Sequence, residues 1–191
     1  YKRQALICPT IWDQAELPRI VGRGGYEVRP YGSDVSEHPE DFDALGFIEE
    51  AVAEFRRSHV DGILASDDYP GSIVAAAIAR RLNLPAPSPE KILLCQHKYY
   101  SRIAQRQAMP EAVPSFALLQ ADGTLAAGTL TFPAFVKPVK SFFSVLAERV
   151  ESAEELERVV ARAQPHLREF VRPFNALLRQ FTNYPVNGGH L

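Results

Sequence analysis

Over roughly its first eighty residues the chain alternates short apolar runs with helical stretches three times, an order that few folds accept. Ala5-Leu6-Ile7-Cys8 stops at Pro9 and reads as a first buried strand. A helix over about residues 13–21 follows, limited by Pro18 and broken by Gly22-Arg23-Gly24-Gly25. Tyr26 to Tyr31 alternates in polarity and predicts a second strand, and residues 33–41 form an acidic loop. Leu45, Ile48, Val52 and Phe55 then recur at helical spacing on one face. Gly62-Ile63-Leu64-Ala65 predicts a third buried strand, before an Ala-rich helix over residues 72–82. Short strands joined by helices of this length make βαβ units, so this half is α/β with a small open parallel sheet and flanking helices.

Leu84-Pro85-Ala86-Pro87-Ser88-Pro89 is a stiff, extended connector and the best domain boundary, giving domains 1–87 and 88–191. The second half has a different grammar. Ser88 and Pro89 open a helical stretch, with a break, that runs to about residue 107. Strands are expected over residues 115–120, 132–139 and 144–150, with Ala121-Asp122-Gly123-Thr124 as a turn. Ser152-Ala153-Glu154-Glu155 is a capping box for a helix that Pro165 ends. A last helix, about residues 166–181, contains Pro173, and the tail beyond it has turn composition. This half reads as α+β.

Composition excludes several classes. The 191 residues are 46% apolar and 23% charged, which suits a globular chain with a real core. A net charge of -2 leaves no basic field for nucleic acid or an anionic membrane. Cys8 and Cys95 form no CxxC pair, and the five His have no metal-ligand spacing, so neither a disulfide framework nor a zinc site is expected. No run reaches the roughly 20 apolar residues of a membrane helix, and the start is too short for a signal peptide. The expected compartment is the cytoplasm. Met109 is the single methionine, so a chain trimmed at its start is expected.

Five places are weighed for chemistry. The glycines at 22, 24 and 25 follow a helix and precede a strand, the reverse of a dinucleotide fingerprint. Ser66-Asp67-Asp68-Tyr69-Pro70-Gly71 sits where open α/β sheets place ligands, at a strand's C-terminal end. Asp67, Asp68 and Tyr69 are therefore substrate candidates; an Asp capping the next helix is the alternative. Lys137 stands in an apolar strand, on the face of Phe135 and Val139, and either snorkels to water or meets an anion. Lys140-Ser141-Phe142-Phe143-Ser144 follows as a loop whose N–H groups and hydroxyls suit phosphate, although its aromatics suit packing. Lys98, beside His97, reads by itself as a surface lysine, and no catalytic triad can be assembled.

In order, these segments resemble the ATP-grasp superfamily. The likeness runs from about Gly62, through the proline connector, Lys98, Met109-Pro110 and Phe132-Pro133-Ala134-Phe135-Val136-Lys137-Pro138, to Leu156. It implies a Rossmann-like pre-ATP-grasp domain followed by the first lobe of the nucleotide-binding fold. It also implies a carboxylate–amine ligase acting through an acyl phosphate, with ATP and Mg²⁺. Lys98 and Lys137 match the family's phosphate-contacting lysines, and Lys140, Ser141 and Ser144 fall in its phosphate loop. That loop is usually Gly-rich and here has no Gly. The family's second lobe, with its magnesium carboxylates, has no counterpart after Phe181. The chain is thus expected to be truncated and inactive alone. Its partners would be ATP and a small-molecule substrate, with a homodimer as the common state of such ligases. The rival reading is a non-catalytic binding module with a degenerate lobe.

Overall fold

A computed structural model describes residues 2–20, 24–35, 38–141, 144–167 and 171–185. Gly22, Phe142, Phe143 and the tail from Val186 lie outside the described residues. Two compact units form, residues 1–93 and 94–191.

In the first unit, β1 (Lys2–Ile7) lies between β2 (Tyr26–Tyr31) and β3 (Gly62–Leu64), and both pairings are parallel. The register pairs Ala5 with Arg29 on one side and Ile63 on the other. Helices α1 (Ile11–Ile20), α2 (Ala44–Ser58) and α3 (Gly71–Arg81) follow the strands in turn, as the alternation predicts. The central position explains the burial: Ala5, Leu6, Ile7 and Cys8 are all in the core. The expectation of a third buried strand needs correction. Gly62 and Ile63 are half-buried and Leu64 is exposed, because β3 is an edge of the three-stranded sheet.

Helix α2 buries Ala44, Ile48, Ala51, Val52 and Phe55, close to the predicted stripe, and Leu45 is half-buried. Asp43 caps it by accepting from the Gly46 N–H at 3.1 Å. In α3 every residue from Ile73 to Ala79 is buried, so its alanines let the helix approach closely. Helix α4 (Pro89–Gln96) begins in this unit, with Pro89 buried and Glu90 paired to Arg80. The first unit thus includes the start of α4 and runs to residue 93.

The second unit contains α5 (Lys98–Ala108), β4 (Ala117–Leu119), β5 (Leu125–Gly128), β6 (Ala134–Val136), β7 (Glu148–Val150), α6 (Ala153–Ala163) and α7 (Val171–Phe181). β4 pairs with β5 and β6 with β7, both antiparallel. β5 was not among the expected strands; its Leu-Ala-Ala-Gly carries no β-branched residue, and pairing with β4 defines it. The strands expected over 132–139 and 144–150 shrink to three residues each. The core joins Leu119, Val136 and Val150 to Leu156, Val159, Val160 and Ala163 of α6. The capping box forms with one change. Ser152 accepts from the Glu155 N–H at 3.3 Å, while the Glu155 carboxylate accepts from Glu151 N–H at 2.8 Å, one residue earlier than the usual partner.

Both cysteines are free thiols. Cys8 is buried; that burial, helped by the Asp67 and Asp34 carboxylates, pushes its thiol up to about 12. Cys95 is exposed. A disulfide reagent at pH 8 should therefore label Cys95 at least about a hundredfold faster than Cys8, since the thiolate is the nucleophile. Peptide mapping reads the two sites, and equal rates would show that the first unit opens readily.

Candidate functional site

The second unit holds a cavity of about 530 Å³, within the range of small-molecule sites. Helix α5 supplies Lys98, Tyr99, Ser101, Arg102 and Gln105; residues 114–119 and 129–131 form further wall, and Phe135 and Lys137 stand at β6. The α5 residues fall at positions one, two, four, five and eight of the helix, so a single face meets the cavity. Arg102 and Gln105 escaped the sequence reading, although their spacing from Lys98 carries the signal. Phe116 is held from two sides. The Arg106 guanidinium lies 4.0 Å from its ring centroid, and Tyr99 meets it edge-on at 5.6 Å.

The helix start is fixed locally. His97, fully buried, caps α5: its Nδ1 accepts from the Tyr100 N–H at 3.3 Å. Its ring also lies 4.1 Å from that of Tyr100 and stacks on Phe174 at 6.0 Å. His97 is thus a structural residue of the core. Lys98 donates through Nζ to the Ser141 carbonyl at 2.8 Å, and reaches the Val139 carbonyl and Ser141 Oγ at 3.4 Å each.

Lys137 follows β6. The strand alternates as expected, with Phe135 exposed, Val136 buried and Lys137 exposed, so Phe135 and Lys137 share a face and both line the cavity. Val139 departs from that alternation and is buried, because the strand has ended before it.

Of the predicted phosphate loop, the described residues Lys140, Ser141 and Ser144 are not among those that line the cavity. Lys140 is only 3% exposed, and its Nζ sits 5.5 Å over the Phe174 ring. It belongs to the core, where its stem is buried and its charge meets the Phe174 ring. Ser141 is half-buried and serves Lys98 through its carbonyl and hydroxyl oxygens. Ser144 is exposed, with φ at +59°, in a turn closed by Ala147 N–H onto its carbonyl. Neither lines the cavity.

The acidic candidates lie in the first unit, just past β3. Asp67 accepts the Gly71 N–H on its carboxylate at 3.2 Å and the Ser72 N–H on its carbonyl at 3.1 Å. It thus accepts from the first turn of α3, whose N-cap residue is Pro70. Asp68 is exposed, and its carbonyl accepts from the Ser72 hydroxyl. Tyr69 is 2% exposed and packs in the core.

The sequence reading missed a polar cluster at the ends of β1 and β3. Asp13 accepts from Thr10 N–H at 2.8 Å, Thr10 Oγ1 at 2.7 Å and Ser66 Oγ at 2.5 Å. Burial raises the Asp13 carboxyl, but the Ser66 and Thr10 bonds together outweigh it and hold the group below its usual value. This cluster ties α1 to the strand ends. No group of three His, Cys, Asp or Glu among the described residues is placed to hold a metal ion. No helix among them is long and apolar enough to cross a membrane.

The small parallel sheet with flanking helices, followed by the α+β unit, is a fold shared with part of a solved ligase structure. The L-amino acid ligase from Bacillus licheniformis is similar over 87% of this chain and 42% of its own, at a TM-score of 0.63 and 22% identity. The vancomycin/teicoplanin A-type resistance protein VanA of Enterococcus faecium is 33% identical over 73 residues. That stretch is 38% of this chain and 21% of VanA. The chain therefore spans less than half the length of either relative. No protein-family model matches it.

Proposed function

We propose that this chain contributes the nucleotide-binding first lobe of an ATP-dependent ligase that joins a carboxylate to an amine or similar nucleophile. The observation that carries the reading is the convergence of Lys98 and Lys137, from α5 and the end of β6, on one cavity. Two ammonium groups beside apolar and aromatic walls suit a polyphosphate joined to a planar base. ATP would supply the phosphoryl group that activates the carboxylate as an acyl phosphate. Lysine charge at the cavity would offset the charge that builds on the phosphates. The described residues offer no ligand set for the Mg²⁺ the resemblance implies, so no step is assigned to it. The same reading places the protein in the cytoplasm, acting on a small molecule as a homodimer, without nucleic acid or membrane.

Titration calorimetry with ATP on the full chain tests this. Lys137→Ala should weaken binding by about tenfold or more, the loss of one charge-assisted contact. A change below about twofold would remove Lys137 from the phosphate site. Cys95 also lines the cavity, so saturating ATP should slow its labelling. A non-catalytic module with a degenerate lobe is the second reading, favoured by the burial of Lys140 and the absence of Gly from residues 140–144. Tight ATP binding without phosphate release across a panel of amino acids would select it.

A further inference from the structure

The cavity of the second unit is lined by the cations Lys98, Arg102 and Lys137, and no Asp or Glu is among the described residues that line it. The chain carries 23 Asp and Glu against 21 Lys and Arg, so a lining of one sign is a local arrangement and not the average of the sequence. Cations without carboxylates around a concave site focus a positive field on what enters it. The nucleotide reading uses the two lysines and leaves Arg102 without a role.

Arg102 is oriented by neutral neighbours. Its Nη1 donates to Gln105 Oε1 at 3.1 Å, and Gln105 Nε2 donates to Ser101 Oγ at 3.0 Å. All three residues line the cavity from the same face of α5. The Gln105 amide is thus engaged at both ends, with its oxygen toward the guanidinium. A carboxylate in that place would offset the Arg102 charge. An amide oxygen sets its direction and leaves the charge for an anion. Arg106, one turn further on, has a different setting: its guanidinium lies over the Phe116 ring, and it is not among the lining residues. Arg102 itself stands one turn after Lys98, about 6 Å further along the helix axis, a separation suited to a chain of phosphates rather than a single one.

We propose that Arg102 is a further phosphate-binding residue of this site, its guanidinium fork taking a phosphate one helical turn from the group that Lys98 meets. The proposal rests on the nucleotide reading and adds to it the residue that recognises the length of the phosphate chain. A guanidinium plane can also stack on a base, and the test separates the two roles.

Two ligands are titrated into the full chain by calorimetry: ATP, and inorganic tripolyphosphate, which has the phosphates and no base. Arg102→Met should weaken both by about tenfold, the loss of one charge-assisted contact. Its ATP affinity should also fall less steeply with added salt than that of wild type, because one screened charge is gone. Gln105→Glu leaves Arg102 in place and sets a carboxylate beside it, so it should weaken both ligands by a similar factor. Gln105 is exposed, and this variant keeps the test decisive if Arg102→Met does not fold. Weaker ATP binding with tripolyphosphate binding and salt dependence unchanged would assign Arg102 to the base and overturn the proposal. A change below about twofold for both ligands would overturn it as well. If wild type binds ATP alone, the salt dependence decides, and an unchanged slope in Arg102→Met overturns the proposal. If wild type binds tripolyphosphate and not ATP, the nucleotide reading fails separately, and the loss in Arg102→Met decides the phosphate role. Wild type that binds neither ligand overturns both.

Discussion

Phe174→Ala should destabilise the second unit by about 3–5 kcal/mol, the range for removing a fully buried aromatic ring. Phe174 is 0% exposed on α7, and its neighbours make the site sensitive. The ring stacks on buried His97 at 6.0 Å and lies 5.5 Å from the Lys140 ammonium. Truncation loses the apolar burial and leaves a cavity. It also leaves an imidazole and an ammonium beside that cavity without the ring that shields them. Phe174→Leu keeps most of the volume, and its cost should be the smaller, below about 2 kcal/mol. Hydrogen exchange of the α6 amides reads this unit separately from the first. A loss below about 1 kcal/mol for Phe174→Ala would mean that the surroundings collapse onto the gap.

Gly128→Ala should cost at least about 2 kcal/mol and should damage the cavity as well. Gly128 ends β5 with φ at +85°, where an L side chain costs about 1–2 kcal/mol. Space adds a second penalty. A Cβ there would lie 2.5 Å from the Phe116 carbonyl oxygen and 2.9 Å from Ala117 Cα. Both are backbone of the partner chain segment, so relief requires β4 and β5 to part. Residues 116–119 and 129–131 line the cavity on either side of this contact. Gly25→Ala is the internal control: φ is +77°, but nothing lies within 4 Å of its Cβ. Thermal unfolding of both variants isolates the clash. ATP titration of Gly128→Ala should show at least about a tenfold loss, corresponding to roughly 1.4 kcal/mol. Equal stabilities for the two variants would show that β4 and β5 tolerate separation.

The sequence alone determined the elements whose causes are local. The βαβ order followed from apolar runs separated by helical periodicity, and the structure has it in β1, β2, β3 and the helices after them. The capping box at Ser152 and the turn at Asp122 need only neighbours a few residues away. The exposure of Phe135 and Lys137 around buried Val136 follows from the two-residue repeat of a strand.

Tertiary structure decided what depends on distant partners. β3 was predicted as buried, because Gly62-Ile63-Leu64-Ala65 is apolar; its place at the sheet edge comes from strand order, which no local pattern encodes. β5 has weak strand propensity and exists through its register with β4. The largest difference lies in the lysines. Lys98, Lys137 and Lys140 have the same chemistry, and local context read them as a surface lysine, a strand lysine and a loop lysine. Packing against Phe174 draws Lys140 into the core, carbonyls 41 and 43 residues away engage Lys98, and Lys137 remains at the cavity in water. A lysine's long stem lets its charge settle several ångströms from its own backbone, so its role is set by the groups that the fold places within that reach.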